Sequence, residues 1–203
     1  MLTKEDLIQF ENEIAGAFAK GLIKAPVHLR AGREAELIRL FQKYNIGPDD
    51  HILGHWDSHE LCLLKGVPPD VLKQAILDGR SIALCFPEYR IYCSGIVGSL
   101  MGVATGLAWA IKARGERGRV FLFCGDMSSE TGIFHEAVKY AVNFDLPAVF
   151  VVSDNGLSVM TDTRAAWGSR EPWFLGTRFV AKIEYFRYKN GWPHSGLGKL
   201  VKF

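Results

Sequence analysis

The sequence lacks the features of secreted, disulfide-rich or nucleic-acid-binding proteins. Its 203 residues include only four cysteines, which stand among apolar residues without Cys-x-x-Cys spacing and indicate reduced core residues. The 24 lysines and arginines nearly balance the 22 acidic residues, so the net charge of +2 gives no electrostatic footprint for nucleic acid or an anionic membrane. The N-terminus is too charged for a signal peptide, no repeat or low-complexity segment occurs, and we expect a cytoplasmic protein.

One uncharged stretch, residues 91–111, is long enough to span a bilayer. Gly98, Gly102 and Gly106 recur in it every four residues, which on a helix makes one flat face that permits close backbone approach. In a membrane this face is a dimerisation stripe, whereas in a soluble protein the helix is buried against a sheet or another subunit. Because the chain has a single such segment, diluted by polar residues, we favour the soluble interpretation and expect no membrane association.

The first half of the chain is predicted to be largely helical. Thr3 and Asp6 have capping-box spacing, and apolar residues then recur at helical intervals. Further helical patterns cover residues 32–44, a short segment after Pro68 and a buried helix over residues 97–113. Residues 49–66 are rich in histidine and are predicted to be irregular. An alternative for this segment is a zinc site formed by its histidines, His51, His55 and His59.

Two apolar runs in the second half, residues 120–124 and 148–152, predict strands that are buried on both faces. A helical pattern over residues 131–143 separates them, and strand, helix and strand in this order form a parallel βαβ unit. Polar residues follow both strands, Gly125-Asp126 after the first and Asp154-Asn155 after the second. Because ligands bind at the carboxyl ends of strands in an open parallel sheet, we expect the functional site there.

Asp126 and Asn155 form an incomplete set of cation ligands at the ends of two strands that we expect to be neighbours. One carboxylate and one amide suit Mg²⁺, because this ion takes one or two protein oxygens and completes its octahedron with phosphate oxygens and water. The adjacent glycines permit a diphosphate to approach the backbone closely. The spacing therefore indicates a magnesium–diphosphate site, and the alternative from spacing alone is a pair of ordinary loop caps.

Several motifs together resemble one enzyme family. Gly125-Asp126 followed by Asn155 resembles the signature of thiamine diphosphate enzymes. Residues 26–35, 56–59 and 95–98 resemble segments of the alpha subunit of 2-oxo acid dehydrogenases of the pyruvate dehydrogenase type, which is related to the N-terminal half of transketolase. This resemblance implies an α/β fold in three layers, with a mostly parallel sheet flanked by helices. We expect one diphosphate-binding domain over residues 1–203, including a helical region 1–48 and a tail 161–203.

The resemblance also implies roles for individual residues. Asp126 and Asn155 bind Mg²⁺ in this interpretation, together with the main-chain carbonyl of Leu157. The other cofactor-binding residues are Gly125, Met127 and Ser128 around the diphosphate, and Gly95 and Val97 with their backbone at the aminopyrimidine. The resemblance places His28 at the substrate, His194 near the cofactor and His59 in the cleft, and we predict that these three histidines are catalytic.

Two positions depart from the pattern of the family. Met127 stands where the family has glycine, and it still supplies an N–H to a phosphate if its φ is negative. Asp57 stands where the family has an arginine that grips the diphosphate. A desolvated carboxylate close to the phosphate oxygens is unfavourable. Either the loop that contains Asp57 is displaced, or another cation replaces the arginine at the diphosphate. On charge alone, the candidate replacements are Arg187, Lys189 and Lys199.

The resemblance implies a partner and leaves the reaction open. In this family, a glutamate that activates the aminopyrimidine belongs to a second domain, for which we expect no room in this chain. We therefore expect a beta-type subunit that supplies the glutamate, in an α2β2 hetero-oligomer with helix 97–113 at the contact. The expected reaction is 2-oxo acid decarboxylation with acyl or aldehyde transfer. The alternatives are a split transketolase acting on a ketose phosphate, and a degenerate regulatory subunit.

Overall fold

The structure, a computed structural model, describes residues 2–192. In this range the helices are α1 (Lys4–Ala19), α2 (Glu34–Lys43), α3 (His59–Leu64), α4 (Pro69–Leu77), α5 (Leu100–Arg114), α6 (Asp126–Ser129), α7 (Gly132–Asn143) and α8 (Thr163–Trp167). The strands are β1 (His51–Gly54), β2 (Cys85–Phe86), β3 (Ile91–Cys93), β4 (Val120–Gly125), β5 (Ala148–Asp154), β6 (Leu157–Ser158), β7 (Thr161–Asp162) and β8 (Ile183–Arg187). Short 3-10 helices cover Pro87–Tyr89 and Arg178–Lys182.

The described residues group into two compact units, each made of separate chain segments. The first unit contains residues 2–48, 54–95 and 189–192, and the second contains residues 49–53 and 96–188. The single domain predicted over residues 1–203, with its helical region 1–48 and its tail 161–203, stays a prediction.

The first unit is built on helices α1 to α4. The predicted capping box starts α1: the Asp6 N–H donates to Thr3 Oγ1 over 3.2 Å, and the Thr3 N–H donates to Asp6 Oδ2 over 2.7 Å. The apolar face of α1 buries Leu7, Phe10 and Ile14, and α1 contacts α2, α3 and α4. β2 and β3 form an antiparallel hairpin in the same unit. α1, α2 and α4 confirm the helices predicted after Thr3, over residues 32–44 and after Pro68.

Residues 49–66 contain regular secondary structure, and the prediction that they are irregular was wrong. β1 pairs in parallel with β4, with His51 opposite Val120 and Leu53 opposite Leu122. α3 follows within five residues and buries its apolar side chains. A four-residue strand and a six-residue helix are too short for the hydrophobic pattern to reveal their period, which explains the error.

The second unit contains a parallel sheet with the strand order β1, β4, β5, β8. β4 and β5 are paired from Val120 opposite Ala148 to Gly125 opposite Ser153, and both are buried along almost their whole length. α7 connects them, which confirms the predicted βαβ unit. α5 packs on α7 and contacts both strands. A mostly parallel sheet flanked by helices is the α/β fold that the sequence predicts.

α5 begins later than predicted and turns its glycines outward. Gly98 has a φ of +82°, which an α-helix does not accommodate, so the helix begins at Leu100 instead of residue 97. α5 buries Ala104 in the core of the second unit, whereas Gly102 and Gly106 are exposed. Among the described residues, no helix combines the length and the apolar character needed to cross a bilayer.

Candidate functional site

The predicted cation ligands lie where two neighbouring strands end. α6 begins at Asp126, directly after β4. Asn155 directly follows β5, and its Oδ1 accepts a hydrogen bond from the Leu157 N–H over 3.1 Å. α6 contacts both β5 and β6, the short strand that begins at Leu157. The structure thus brings together the three segments that contain Asp126, Asn155 and Leu157.

Asp126 is a buried carboxylate with one unsatisfied oxygen. The residue is 2% exposed, and its Oδ2 has no hydrogen-bond partner within residues 2–192. Burial raises the pKa of Asp126, and the nearby carboxylate of Asp154 raises it further. Contact with the Thr163 hydroxyl lowers this pKa, but by less than burial raises it. A buried carboxylate oxygen without a donor is costly unless a cation neutralises it. The residues at this position therefore fit a hard cation such as Mg²⁺.

Asp154, the last residue of β5, is a second buried carboxylate that the sequence analysis assigned no role. Its Oδ2 accepts hydrogen bonds from the Arg164 guanidinium and, over 2.5 Å, from the Tyr185 hydroxyl. Its Oδ1 accepts from the Gly156 N–H over 2.9 Å. Burial raises the pKa of Asp154, but the hydrogen bonds and the charge of Arg164 outweigh it, and the pKa lies below its ordinary value. Asp154 is therefore ionised and already neutralised by protein groups.

Arg187, which we expected as a replacement cation for the diphosphate, belongs to the surroundings of Asp154. Its Nε lies 3.4 Å from Asp154 Oδ2 and donates to the Tyr185 hydroxyl over 2.6 Å, and its Nη2 contacts a Glu171 carboxylate oxygen at 2.9 Å. Burial and the hydrogen bond to Asp154 raise the pKa of Tyr185 to about 12, so this phenol stays protonated. Lys189 lies in the first unit, and Lys199 lies outside the described residues.

Met127 and Ser128 lie in α6 directly after Asp126. Met127 is absent from the described non-glycine residues with positive φ, so its backbone meets the condition we set for an N–H donor. Its Sδ accepts a hydrogen bond from the Trp167 indole over 2.9 Å, which connects α8 to α6. Ser128 is buried, and its carbonyl accepts from the Thr131 hydroxyl over 2.7 Å. Their roles at a diphosphate stay predictions.

The two residues expected at the aminopyrimidine belong to different units. Gly95 lies in the first unit, where a Cβ on it would stand 3.2 Å from Ile82 Cδ1. Val97 lies in the second unit and is exposed. Gly125 at the end of β4 is also exposed, with open space where a Cβ would stand. These features leave the predicted backbone contacts of Gly95 and Val97 untested.

The histidines predicted to be catalytic differ in their surroundings. His28 is 7% exposed and meets the Trp56 ring edge-on, with ring centroids 4.5 Å apart. His59 is fully buried, with Glu11 Oε1 2.8 Å from its Nδ1 and Ser81 Oγ 2.8 Å from its Nε2. Because both ring nitrogens of His59 are occupied, its surroundings favour a positioning role, and its catalytic assignment stays a prediction.

The zinc alternative finds no support in the described part of the chain. Residues 2–192 contain no group of three or more histidine, cysteine, aspartate or glutamate side chains arranged to hold a metal ion. His59 in particular directs its two ring nitrogens at Glu11 and Ser81. His194, the third histidine predicted to be catalytic, lies outside the described residues.

Asp57 is held by two arginines of the first unit. Its Oδ2 accepts from Arg30 Nε over 2.7 Å and from Arg33 Nη1 over 2.8 Å, and its main-chain carbonyl accepts from Arg33 Nη2. Burial raises the pKa of Asp57, but the charges of Arg33 and Arg30 outweigh it and hold the pKa far below its usual range. Asp57 is therefore an anion paired with two arginines, and the expectation that the loop is displaced or that another cation replaces the family's arginine at the diphosphate stays a prediction.

Arg33 also binds a second acid, Glu60, with 2.6 Å between Arg33 Nη2 and Glu60 Oε2. Burial raises the pKa of Glu60 to about 7; Arg33 opposes this, and the carboxylates of Glu11 and Glu34 add to it. Near neutral pH, Glu60 is therefore only partly ionised. Arg33 therefore bridges two acids of the first unit, Asp57 and Glu60.

Comparisons with known proteins agree with the motifs. Residues 4–179 match the dehydrogenase E1 component family. The chain is 31% identical over 163 residues to the alpha subunit of acetoin:2,6-dichlorophenolindophenol oxidoreductase from Cupriavidus necator, an alignment of 75% of this chain and 48% of that protein. It is 30% identical over 169 residues to the pyruvate dehydrogenase E1 component subunit alpha of Zymomonas mobilis, and this alignment covers 78% of this chain and 47% of that protein. The chain thus spans about half the length of the curated relatives it matches.

Proposed function

The chain belongs to the dehydrogenase E1 component family, and on that premise we propose that it is the alpha-type subunit of a heteromeric thiamine diphosphate enzyme. The proposed reaction is decarboxylation of a 2-oxo acid with transfer of the acyl or aldehyde fragment. One observation supports it above the others: the unsatisfied Oδ2 of buried Asp126 lies at the carboxyl end of a parallel sheet. A relative named as the alpha subunit of the pyruvate dehydrogenase E1 component supports the same reaction class.

In this proposal, Asp126, the Asn155 amide and the Leu157 carbonyl hold Mg²⁺, and the backbone of Met127 and Ser128 binds the diphosphate. The contact between α6 and β6 supports this set, because it keeps Asp126 and Leu157 in adjoining segments. When bound, thiamine diphosphate supplies the carbon nucleophile that attacks the 2-oxo acid. The protein's own contribution is to fix the cation and to exclude water around buried Asp126.

The proposal includes a beta-type subunit that supplies the activating glutamate, in an α2β2 assembly. The alpha-subunit names of the relatives support this partner. An exposed aromatic cluster on α5 and at the end of α7 offers the partner an apolar surface. In this cluster, the Trp109 ring lies 4.9 Å from the Phe144 ring and 5.7 Å from the Tyr140 ring, measured between centroids. We place the protein in the cytoplasm, which agrees with its free cysteines.

Calorimetric titration of Mg²⁺ and thiamine diphosphate into the full chain, alone and with a co-expressed beta-type subunit, tests the proposal. We expect Asp126→Asn to weaken binding by about 100-fold, because the amide leaves the cation without a charged ligand. Asp145→Asn is the matched control, since Asp145 is an exposed partner of Lys182 at 2.8 Å in the same unit. Equal binding by wild type and Asp126→Asn contradicts the site.

Failure of wild type to bind thiamine diphosphate in either sample contradicts the enzyme and favours the regulatory subunit. A donor screen then separates the remaining reaction classes. Decarboxylation of pyruvate supports the proposed reaction, and cleavage of a ketose phosphate supports the transketolase alternative.

A further inference from the structure

The short helix α8 connects the strand ends to the segment that follows them. Asp162 caps α8 by accepting from the Ala165 N–H over 2.7 Å, and the Thr163 N–H donates to the Gly156 carbonyl over 3.0 Å. From this helix, the Arg164 side chain reaches Asp154 and the Trp167 indole reaches Met127. α8 thus contacts Asp154, which precedes the proposed ligand Asn155, and Met127, which follows the proposed ligand Asp126.

Two buried carboxylates stand at these strand ends, and they are satisfied differently. Asp126 and Asp154 are each 2% exposed, and they directly follow Gly125 and Ser153, which are paired where β4 and β5 end. Asp126 Oδ2 has no hydrogen-bond partner in the described range, whereas Asp154 is paired with Arg164. The Arg164 side chain is only 24% exposed, so solvent screens this pair weakly.

The number of charged ligands governs which divalent cation a site prefers. Mg²⁺ is held by one or two carboxylates, with phosphate oxygens and water completing an octahedron, whereas Ca²⁺ takes more oxygens and its affinity rises with ligand charge. A second available carboxylate would also repel a diphosphate. An arginine that occupies the second carboxylate therefore changes cation preference without touching the cation.

We propose that Arg164 determines the cation specificity of this site by withholding the Asp154 carboxylate from the bound ion. The inference rests on the proposed function, because it concerns the same magnesium–diphosphate site. Arg164 is a positioning residue in this account: it acts through Asp154, and Asp126 alone presents negative charge to the cation. Arg187 also lies near Asp154, but its side chain is 55% exposed and it is shared with Glu171, so it contributes less.

The test compares cation preference in the full chain with its co-expressed beta-type subunit. Mg²⁺ or Ca²⁺ is titrated calorimetrically in the presence of thiamine diphosphate, and the ratio of the two dissociation constants is the readout. We expect Arg164→Gln to shift the ratio toward Ca²⁺ by about tenfold or more, because Asp154 then keeps the Tyr185 hydroxyl and the Gly156 N–H, which are neutral donors, and its charge becomes available to the cation. Arg164→Lys keeps the charge and retains the wild-type ratio, and Arg187→Gln shifts it by about threefold or less.

A double variant separates this role from general damage to the fold, which circular dichroism monitors in parallel. In Arg164→Gln with Asp154→Asn, no second carboxylate exists, so the wild-type ratio returns. A ratio that stays shifted in the double variant, or an unshifted ratio in Arg164→Gln alone, overturns the inference and leaves the proposed function intact. Failure of wild type to bind either cation with thiamine diphosphate overturns both.

Discussion

Replacing Asp57 by asparagine removes a carboxylate that Arg30 and Arg33 share. At 2.7–2.8 Å, each pair has a gross Coulomb energy of about 6 kcal/mol at an effective dielectric constant of about 20. Desolvation offsets most of this energy, and breaking a buried pair costs about 3–5 kcal/mol net. Because Arg33 keeps Glu60 as a partner, we expect Asp57→Asn to lower the free energy of unfolding by about 3 kcal/mol at pH 7.

Urea unfolding at several pH values measures this effect. The pKa of Asp57 is depressed in the fold, so its contribution is fully present above the unfolded value near 3.8 and is lost as the pH falls below it. The difference between wild type and Asp57→Asn therefore shrinks in acid. Asp78→Asn is the matched control: its pair with Arg80 is exposed at 3.4 Å, and we expect a change below about 0.5 kcal/mol. A loss for Asp57→Asn no larger than that of the control would refute the reasoning.

Two further predictions concern stability. Because the folded pKa of Glu60 is about 7 against 4.5 unfolded, the contribution of Glu60 to the free energy of unfolding falls by about 3 kcal/mol as the pH rises from 4.5 to 7. Glu60→Gln lacks this decline, and parallel pH profiles of the two proteins would contradict the assignment. Gly98→Ala lowers the melting temperature, since Gly98 has φ +82° and a Cβ there meets Ile133 at 3.3 Å. Exposed Gly102→Ala in α5 is its control and stabilises by about 0.5–1 kcal/mol; equal shifts for both variants would count against this account.

The parts of the fold that the sequence predicted are those with a long local pattern. β4 and β5 are continuous apolar runs between polar ends, and their parallel pairing places Asp126 and the segment after β5 at the same edge. The start of α1 followed from its capping box. β1 and α3 were missed because each is shorter than the window over which periodicity becomes visible.

The charged partners in the site could not be predicted, because ion pairs between distant segments have no local signature. Arg164 and Tyr185 lie in the part of the chain after Met160, where no motif pointed to a role, yet both contact Asp154. Asp154 itself stands next to Asn155 at the end of a strand, and that position was the one signal available. Asp57 was singled out by its departure from the family pattern, but its pairing with Arg30 and Arg33 required the structure.

The first unit also sets an order of events during protein synthesis. The Ala31 N–H donates to Asn190 Oδ1, 159 positions later in the chain, over 3.2 Å, and the Gly191 N–H donates to the Ala31 carbonyl over 3.0 Å. A ribosome that adds about 5–20 residues per second delivers Asn190 roughly 8–30 s after Ala31. The segment around Ala31 therefore leaves the ribosome long before its last partner exists. Refolding from denaturant, where both segments are present at once, has no such waiting period.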